Sequence, residues 1–440
     1  MSYNDHIFWF DLVVGIVGYV GWLCWLTGGC GSCFDSSISY SDAWGGVVLY
    51  VENLVDRERF AMKCVRGLIT IGLICLFACT PKSETTLLTL DLKGDYPKKE
   101  VFLQDFWEVE YVPLETDSIF LVASNRPWYV GEEYVGFMDN RTGNMLFFNI
   151  ATGKKSYCVN RKGPGPEEYR GVGALSMDEE KKEVFAWGHW DGVIMVYDVQ
   201  GNFLRKFPLG RKGEMVMIAG MVDVNQKYFA CSAYESISGR YSLCYYLDKQ
   251  TGERVLLDSI PTERFVSPII MKEMDGVMRA VEANLSPIVK SVEGFVYADH
   301  SNDTIYRVSS DGCMKPVLVR SPFIKETDPE ILLKYGSEAN GWMFLSSVEL
   351  DYDFVQEKGL RQKYYGIQKQ DGQVYELKYV NKDYPEGEFN VSGANVFYLS
   401  VDKLMEALEA GKLHGQLKNV ASQLCGDDNG VIMRLRSKVE

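Results

Sequence analysis

The sequence predicts an all-β protein, namely a six-bladed β-propeller with a short helical insertion in its last blade. Three observations support this fold: short β-rich runs alternate with Gly, Asp and Asn turns, turn glycines recur at intervals, and strand candidates remain at both ends of the body. Aromatic residues, which suit the pleated and half-buried surface of a sheet, make up 13% of the 440 residues.

The repeat is clearest between residues 183 and 209. Glu183–Gly188, Val193–Val199 and Phe203–Leu209 each have the composition of a strand, and Gly-containing turns separate them. Glycine supplies the positive φ that tight hairpin turns need. The same two-strand ending recurs, with turn glycines at 153, 201, 252, 312 and 372, which are spaced by 48, 51, 60 and 60 residues. Four-stranded propeller blades repeat at about 40–50 residues, with insertions in their loops.

The two ends of the body are predicted to close the ring. Five clear hairpins plus a remainder at the ends suggest six blades, and Phe106–Val112 with Val431–Arg436 would complete one blade together. Closure removes the exposed sheet edges that invite aggregation. The alternative is a pair of β-sandwiches or another β-rich fold.

Two stretches near the end of the chain have helical patterns. Asp402–Ala410 follows Ser400, a candidate N-cap, and precedes Gly411, while Gln416–Leu424 is a shorter candidate. Both are predicted to form the insertion inside the last blade.

A signal for export begins at Met62. Met62–Arg66 is short and basic, Leu68–Phe77 is an apolar run of ten residues, and Ala78-Cys79 follows it. This order is typical of a signal peptide. The ending resembles the bacterial lipobox, in which a cysteine is diacylated and becomes the new N-terminus, so Cys79 is the predicted lipid attachment site.

The chain is therefore predicted to have four parts: 1–61 a mis-assigned extension, 62–79 a lipoprotein signal peptide, 80–100 a polar tether and 101–440 the propeller. Residues 1–56 contain no Lys or Arg, whereas the other 384 contain all 46. A signal peptide acts from the N-terminus, which favours a translation start at Met62. A genuine membrane segment within 1–61, or a simply buried apolar run at 68–77, remains open.

Several motifs together resemble a known family. Arg161–Tyr169 (Arg-Lys-Gly-Pro-Gly-Pro-Glu-Glu-Tyr) follows one hairpin, Ser301–Tyr306 opens another, and Val431–Met433 lies in the closing strand. With the lipobox, they resemble the six-bladed β-propeller lipoproteins of Bacteroides-type gut bacteria, an NHL-repeat-like family mostly of unknown function. The resemblance covers about residues 62–440, although Pro166 and an extra Glu depart from the family's loop. It implies a lipid-anchored protein of the bacterial cell envelope, at the outer membrane.

The function expected from these features is binding or scaffolding, with a peptide, a glycan or a protein as ligand. The formal net charge of −14 argues against nucleic acid, and the body has only three separated histidines, His189, His300 and His414. No HExxH, GxSxG or P-loop motif is present. We expect a monomer without a cofactor. Binding of Ca²⁺ or Zn²⁺ in the channel is left as an open alternative. The alternative is a hydrolase or lactonase with a metal-assisted site at the channel.

Two loops are candidates for ligand contact. Arg161, Lys162 and Tyr169 combine two cations and an aromatic ring in a loop of rigid Pro-Gly turns, and His189-Trp190 occupies a hairpin turn. Loops at the faces of a propeller are where such proteins bind. The alternative that we prefer for Arg161–Tyr169 is a stiff connector between blades, and the alternative for Trp190 is packing against the neighbouring blade.

Overall fold

The computed structural model describes residues 87–438, except 125, 189–191, 210–215, 236–240, 262–264, 284, 292, 390 and 392–394, and except the side chains of residues 216 and 235. The predicted signal peptide, the lipid site Cys79 and His189-Trp190 therefore lie outside the described residues. Within the described part of the chain, no helix has the length and apolar character to span a bilayer.

The chain begins with β1 (Leu88–Asp91), β2 (Lys98–Phe102), α1 (Leu103–Phe106) and β3 (Trp107–Pro113). Blade one is β4 (Tyr129–Val130), β5 (Tyr134–Asp139), β6 (Asn144–Asn149) and β7 (Lys155–Val159). Blade two is β8 (Val172–Asp178), β9 (Glu183–Gly188), β10 (Val193–Asp198) and β11 (Phe203–Pro208). Blade three is β12 (Val216–Asp223), β13 (Tyr228–Glu235), β14 (Tyr241–Asp248) and β15 (Arg254–Pro261).

A separate hairpin, β16 (Ile269–Met274) and β17 (Val277–Glu282), precedes blade four, which is β18 (Ile288–Ser291), β19 (Gly294–Tyr297), β20 (Thr304–Ser309) and β21 (Met314–Ser321). After a 3₁₀ turn (Ile324–Glu326), blade five is β22 (Ile331–Ala339), β23 (Trp342–Glu349), β26 (Gln362–Gln368) and β27 (Val374–Val380), with a small hairpin of β24 (Tyr352–Asp353) and β25 (Lys358–Gly359). The chain ends with β28 (Val396–Leu399), α2 (Val401–Glu409), α3 (Gly415–Ala421) and β29 (Val431–Ser437).

The described strands form a six-bladed β-propeller, which confirms the predicted fold class. The three strands predicted between residues 183 and 209 pair in sequence as β9, β10 and β11. The five predicted turn glycines all have positive φ, between 70° and 84°, and each lies between the third and fourth strands of a blade. At Gly153 the requirement is also steric, because a Cβ would lie 1.9 Å from the carbonyl oxygen of Pro113.

The ring closes as the sequence predicts. The last strand, β29, pairs antiparallel with β3 from the N-terminal part, from Val431 opposite Pro113 to Ser437 opposite Trp107. The helices α2 and α3 lie between β28 and β29 in this blade six, so the helical insertion is confirmed. Both helices contribute to the hydrophobic core that also includes Trp107 and Phe344.

The boundary between tether and propeller needs correction. The polar tether was predicted over 80–100, but β1 pairs in parallel with β21 of blade four, and β2 pairs in parallel with β27 of blade five. Leu90 and Val101 are buried there, because each strand adds a fifth, outer member to its blade. Residues 88–102 are thus part of the propeller, whereas 80–86 lie outside the described residues.

The ring has two distinct faces. One end of the ring carries the turns between the first and second strands of each blade and the turns between the third and fourth strands. We call this end the lower face. The upper face carries the connections between blades and the turns between second and third strands. β8 lies beside β12, and β12 lies beside β18, so the first strands of the blades surround the central channel.

Candidate functional site

Several charged groups of the lower face are paired within the chain. The Lys249 ammonium, on the turn after β14, lies 3.3 Å from Asp178 Oδ2 and 3.0 Å from Asp223 Oδ1. Burial raises the pKa of the Asp223 carboxyl, although the charge of Lys249 lowers it. Lys290 of blade four reaches Glu132 of blade one at 2.9 Å, and so joins two blades three positions apart in the ring.

Glu179, at the end of β8, completes this lower-face network. Its carboxylate accepts hydrogen bonds from the backbone N–H groups of Glu132, Glu133 and Tyr134, at 2.9–3.2 Å. Carboxylates near the channel that are hydrogen-bonded or ion-paired in this way connect one blade to another. We call such groups struts. In the described ranges, no group of three or more His, Cys, Asp and Glu side chains is arranged to hold a metal ion.

The predicted loop Arg161–Tyr169 connects blade one to blade two on the upper face. The Tyr169 side chain is fully buried; its hydroxyl donates to the Gly143 carbonyl at 2.5 Å and accepts from the Arg161 N–H at 3.1 Å. The Lys162 ammonium donates to the carbonyl oxygens of Asn140 and Arg141 at 2.7 and 2.8 Å. The structure gives Tyr169 a packing role in the connector, whereas ligand contact by Arg161 and Lys162 stays a prediction.

A buried polar cluster lies between blades three and four toward the upper face. We call it the His300 cluster; it comprises Ser232, Ser242, Tyr297, Asp299, His300 and Ser301, each at most 5% exposed. Asp299 organises it, because its Oδ1 accepts from the Ser242 hydroxyl at 3.1 Å and from the Ser301 N–H at 2.9 Å. The Ser232 hydroxyl lies 3.5 Å from the other carboxylate oxygen. The Asp299 carboxylate is thereby engaged within the chain.

His300 differs from its neighbours because neither ring nitrogen has a hydrogen-bond partner among the described residues. The side chain is only 4% exposed, so water outside the protein does not satisfy these nitrogens. The Tyr297 hydroxyl and the Asn302 amide nitrogen are also buried without a partner in the part of the chain that is described. Buried polar atoms in proteins are nearly always hydrogen-bonded, and leaving one unpaired costs about 1–3 kcal/mol. Four such atoms close together in sequence mark this cluster as a candidate ligand site.

Aromatic rings cover the His300 cluster. Phe265, in the connector from blade three, stacks on Tyr234 with ring centroids 4.1 Å apart and presents its ring to His300 at 5.9 Å. The next residue, Val266, donates its N–H to the Ser301 hydroxyl at 3.1 Å. The connector is therefore fastened directly onto the polar cluster.

The β16–β17 hairpin rises from this same connector. Its strands pair only with each other among the described residues, and Met271, Val277 and Met278 are 59–65% exposed. At its base, Glu282 lies 3.6 Å from Arg126, in the connector that leads to blade one. The hairpin thus stands beside the His300 cluster and reaches across the ring at its base.

Sequence reasoning did not find this site. In the sequence, His300 is one of three widely separated histidines, and Ser301–Tyr306 is notable only for the family resemblance. The available signal was the polar run Asp299–Asp303 at a turn between two β-rich segments. Ser232, Ser242 and Phe265 belong to other elements, so the sequence does not show that they meet His300. Asp303 itself has a structural task, since it accepts the Ile324 N–H at 2.7 Å.

Comparison with known proteins identifies similar solved structures and a matching family. A solved structure of a Bacteroides fragilis protein described as exported has a TM-score of 0.54 and 16% identity, covering 80% of this chain and 100% of that one. A Bacteroides vulgatus protein of the DUF4221 family has a TM-score of 0.40 and 9% identity, covering 76% of this chain and 98% of that one. No curated protein matches by sequence. A family model matches residues 87–436, and the chain therefore belongs to the family described as Domain of unknown function (DUF4934).

Proposed function

We propose that this protein is an exported, lipid-anchored binding protein that holds its ligand at the His300 cluster on the upper face of the propeller. The observation that carries the proposal is His300 itself, which is 4% exposed and has two ring nitrogens without partners among the described residues. A ligand that enters beneath Phe265 would supply the missing hydrogen bonds. Ligand sites in proteins commonly combine apolar walls with a few convergent polar groups of this kind.

The chemistry of the cluster favours a neutral ligand rich in hydroxyl groups, such as a glycan. The His300 ring presents to a ligand two nitrogens that are unpaired among the described residues, and the Asn302 amide offers donors. Burial, and then the charge of Asp299, raise the pKa of Tyr297 well above its usual value, so its hydroxyl keeps its proton and can donate. The Asp299 charge disfavours an anion at this place, and its oxygens are already engaged. The Phe265 and Tyr234 rings add apolar surface, which suits the face of a sugar ring.

Export and lipid anchoring rest on different observations. The basic start, the apolar run and Cys79 follow one another in the order of a lipoprotein signal peptide. The similar Bacteroides fragilis protein is described as exported. An anchor at Cys79 would hold the propeller at the cell envelope, and we propose the outer membrane. Changing Cys79→Ala should move the protein from the membrane fraction to the soluble fraction, whereas an intact N-terminus at Met1 in the mature protein would contradict the anchor.

The ligand site is tested with the purified protein on an array of neutral and acidic oligosaccharides. We expect binding to neutral members, with a loss of at least tenfold in affinity in His300→Leu. The control is His414→Leu, because His414 is exposed and lies in the helical insertion away from the cluster. Equal binding by the wild type and His300→Leu would contradict the proposed site. Turnover of a lactone or ester panel that needs Ca²⁺ or Zn²⁺ and is lost in Asp223→Asn would instead favour the hydrolase alternative.

A further inference from the structure

The His300 cluster is closed in this structure. His300 and Asp299 are each 4% exposed, so a ligand reaches the His300 ring only after the chain that lies above it has moved. That chain is the start of the connector between blades three and four. Phe265 presents its ring to His300 with the centroids 5.9 Å apart, and the Val266 N–H donates to the Ser301 hydroxyl at 3.1 Å. Access to the cluster therefore requires displacement of this connector.

Few contacts hold the connector in place. The Phe265 ring, itself only partly buried, stacks on Tyr234 with the centroids 4.1 Å apart. Val266 and Ala283 lie buried at the two ends of the segment, in a small hydrophobic cluster with Leu332 of blade five. Opening therefore breaks chiefly an aromatic stack, a hydrogen bond to the cluster and the contacts of two small apolar side chains.

Between these two ends, the segment stands clear of the propeller. None of the residues 267–282, all of which the structure describes, is buried. The Ala283 N–H donates to the Pro268 carbonyl at 2.8 Å and closes the base of the β16–β17 hairpin, so the hairpin can move as one piece. Among the described residues, one ion pair joins it to the rest of the ring, from Glu282 to Arg126 at 3.6 Å. Segments with few buried apolar contacts open at a low free energy.

We propose that Phe265–Ala283 is a lid, which swings away from the His300 cluster to admit the ligand and then closes over it. This inference rests on the proposed function, because it assigns the route by which that ligand enters. Phe265 and Val266 form the cover, the β16–β17 hairpin moves with them, and the pair of Arg126 and Glu282 is the latch that holds the hairpin down. Closure excludes water from the site, as the lids of other binding and catalytic sites do.

Diethyl pyrocarbonate, which acylates unprotonated imidazole nitrogens, tests the lid without any oligosaccharide. It is applied to the full chain at neutral pH, and the modification rate of each histidine is measured by peptide mass spectrometry. In the wild type, we expect His300 to react at least tenfold more slowly than the exposed His414. Phe265→Ala removes part of the cover and should accelerate His300 at least tenfold, with His414 unchanged. Phe323→Ala, in the connector to blade five, is the matched control and should react as the wild type does.

A second variant tests movement of the hairpin. Glu282→Lys places a like charge against Arg126 and weakens the latch without touching the cover. Because exposed ion pairs are weak, we expect His300 to react about threefold faster in this variant. Glu273→Lys makes the same charge change at another exposed position of the hairpin and should leave the rate unchanged. Glu282 is 52% exposed, so the variant should fold, and circular dichroism melting of each variant distinguishes lid opening from global unfolding.

Three results would overturn the lid. His300 could react as fast as His414 in the wild type, Phe265→Ala could leave the His300 rate unchanged, or Glu282→Lys could react at the same rate as Glu273→Lys. The failure of the proposed ligand is distinguishable from these outcomes. An oligosaccharide array without binding, together with accelerated modification of His300 in Phe265→Ala and Glu282→Lys, would contradict the glycan ligand and support the lid.

Discussion

The Lys249 ion pairs of the lower face and the His300 cluster of the upper face differ in how their buried polar groups are matched. On the lower face, Lys249 joins Asp178 and Asp223, and Glu179 accepts three backbone N–H groups. On the upper face, His300 and Tyr297 keep buried polar atoms without partners among the described residues. Groups matched within the chain stabilise the fold, whereas groups left unmatched lower its stability and are retained where they serve binding. This difference is the reason that we assign the lower face to holding the ring together and propose the ligand site on the upper face.

The largest expected effect concerns Lys249. Changing Lys249→Met would leave the Asp178 and Asp223 carboxylates without their shared cation at a site where the lysine side chain is only 2% exposed. Breaking a buried ion pair from one side costs about 3–5 kcal/mol. We expect the free energy of unfolding to fall by about that amount, measured by chemical denaturation. Lys227→Met, at an exposed lysine of the same face, serves as the control, and an equal effect in both variants would show that Lys249 is not a strut.

A second prediction concerns Lys334 on β22 and depends on pH. Burial, and then the charge of Arg126, lower the pKa of Lys334 from 10.5 to about 8. Between these pH values the unfolded chain binds the proton more strongly than the folded chain, so Lys334 makes stability rise with pH in that window. Below about pH 8 the lysine is charged in both states, and folding carries the full cost of about 3 kcal/mol.

The variant Lys334→Met removes this titration, and with it the pH dependence that Lys334 gives to stability. Its unfolding free energy relative to that of the wild type should be highest near pH 7 and should fall by up to about 3 kcal/mol toward pH 10.5. Denaturation curves of both proteins across this pH range measure the difference in unfolding free energy. The contributions of the other titrating groups cancel in that difference. A difference that stays constant with pH would contradict the depressed pKa.

The smallest effect is expected for the ion pair between Lys290 and Glu132. These side chains are 52% and 83% exposed, and exposed ion pairs contribute about 0–1 kcal/mol. Lys290→Met should therefore change the unfolding free energy by less than about 1 kcal/mol, although the pair spans the ring. A loss similar to that of Lys249→Met would show that this contact, too, is a main strut of the lower face.

The fold was predictable from the sequence because its signals are local. A turn glycine such as Gly201 needs only its own backbone conformation, and β9, β10 and β11 pair with their neighbours along the chain. The two outer strands were missed because their partners are distant in sequence. Leu88 pairs with Leu318, and no local pattern indicates this register.

The candidate site was harder to predict for the same reason. His300 meets Phe265 from the connector, and Ser232 of β13 and Ser242 of β14 contact the adjacent Asp299, so four separate elements build the cluster. The Arg161–Tyr169 loop stood out in the sequence for its prolines and glycines, which shape a connector as readily as a binding loop. Burial of Tyr169 distinguishes these interpretations for that side chain, and burial is a tertiary property.

The central claim is that His300 is kept for a ligand and not for stability. Its most direct test is to measure the unfolding free energy of His300→Leu, alongside Lys249→Met, and to repeat the oligosaccharide array with His300→Leu. Because the His300 ring nitrogens have no partner among the described residues, the leucine should leave the unfolding free energy within about 1 kcal/mol of the wild type or raise it, while binding is lost. A fall of about 3 kcal/mol or more, comparable to that of Lys249→Met, with binding unchanged, would contradict the account.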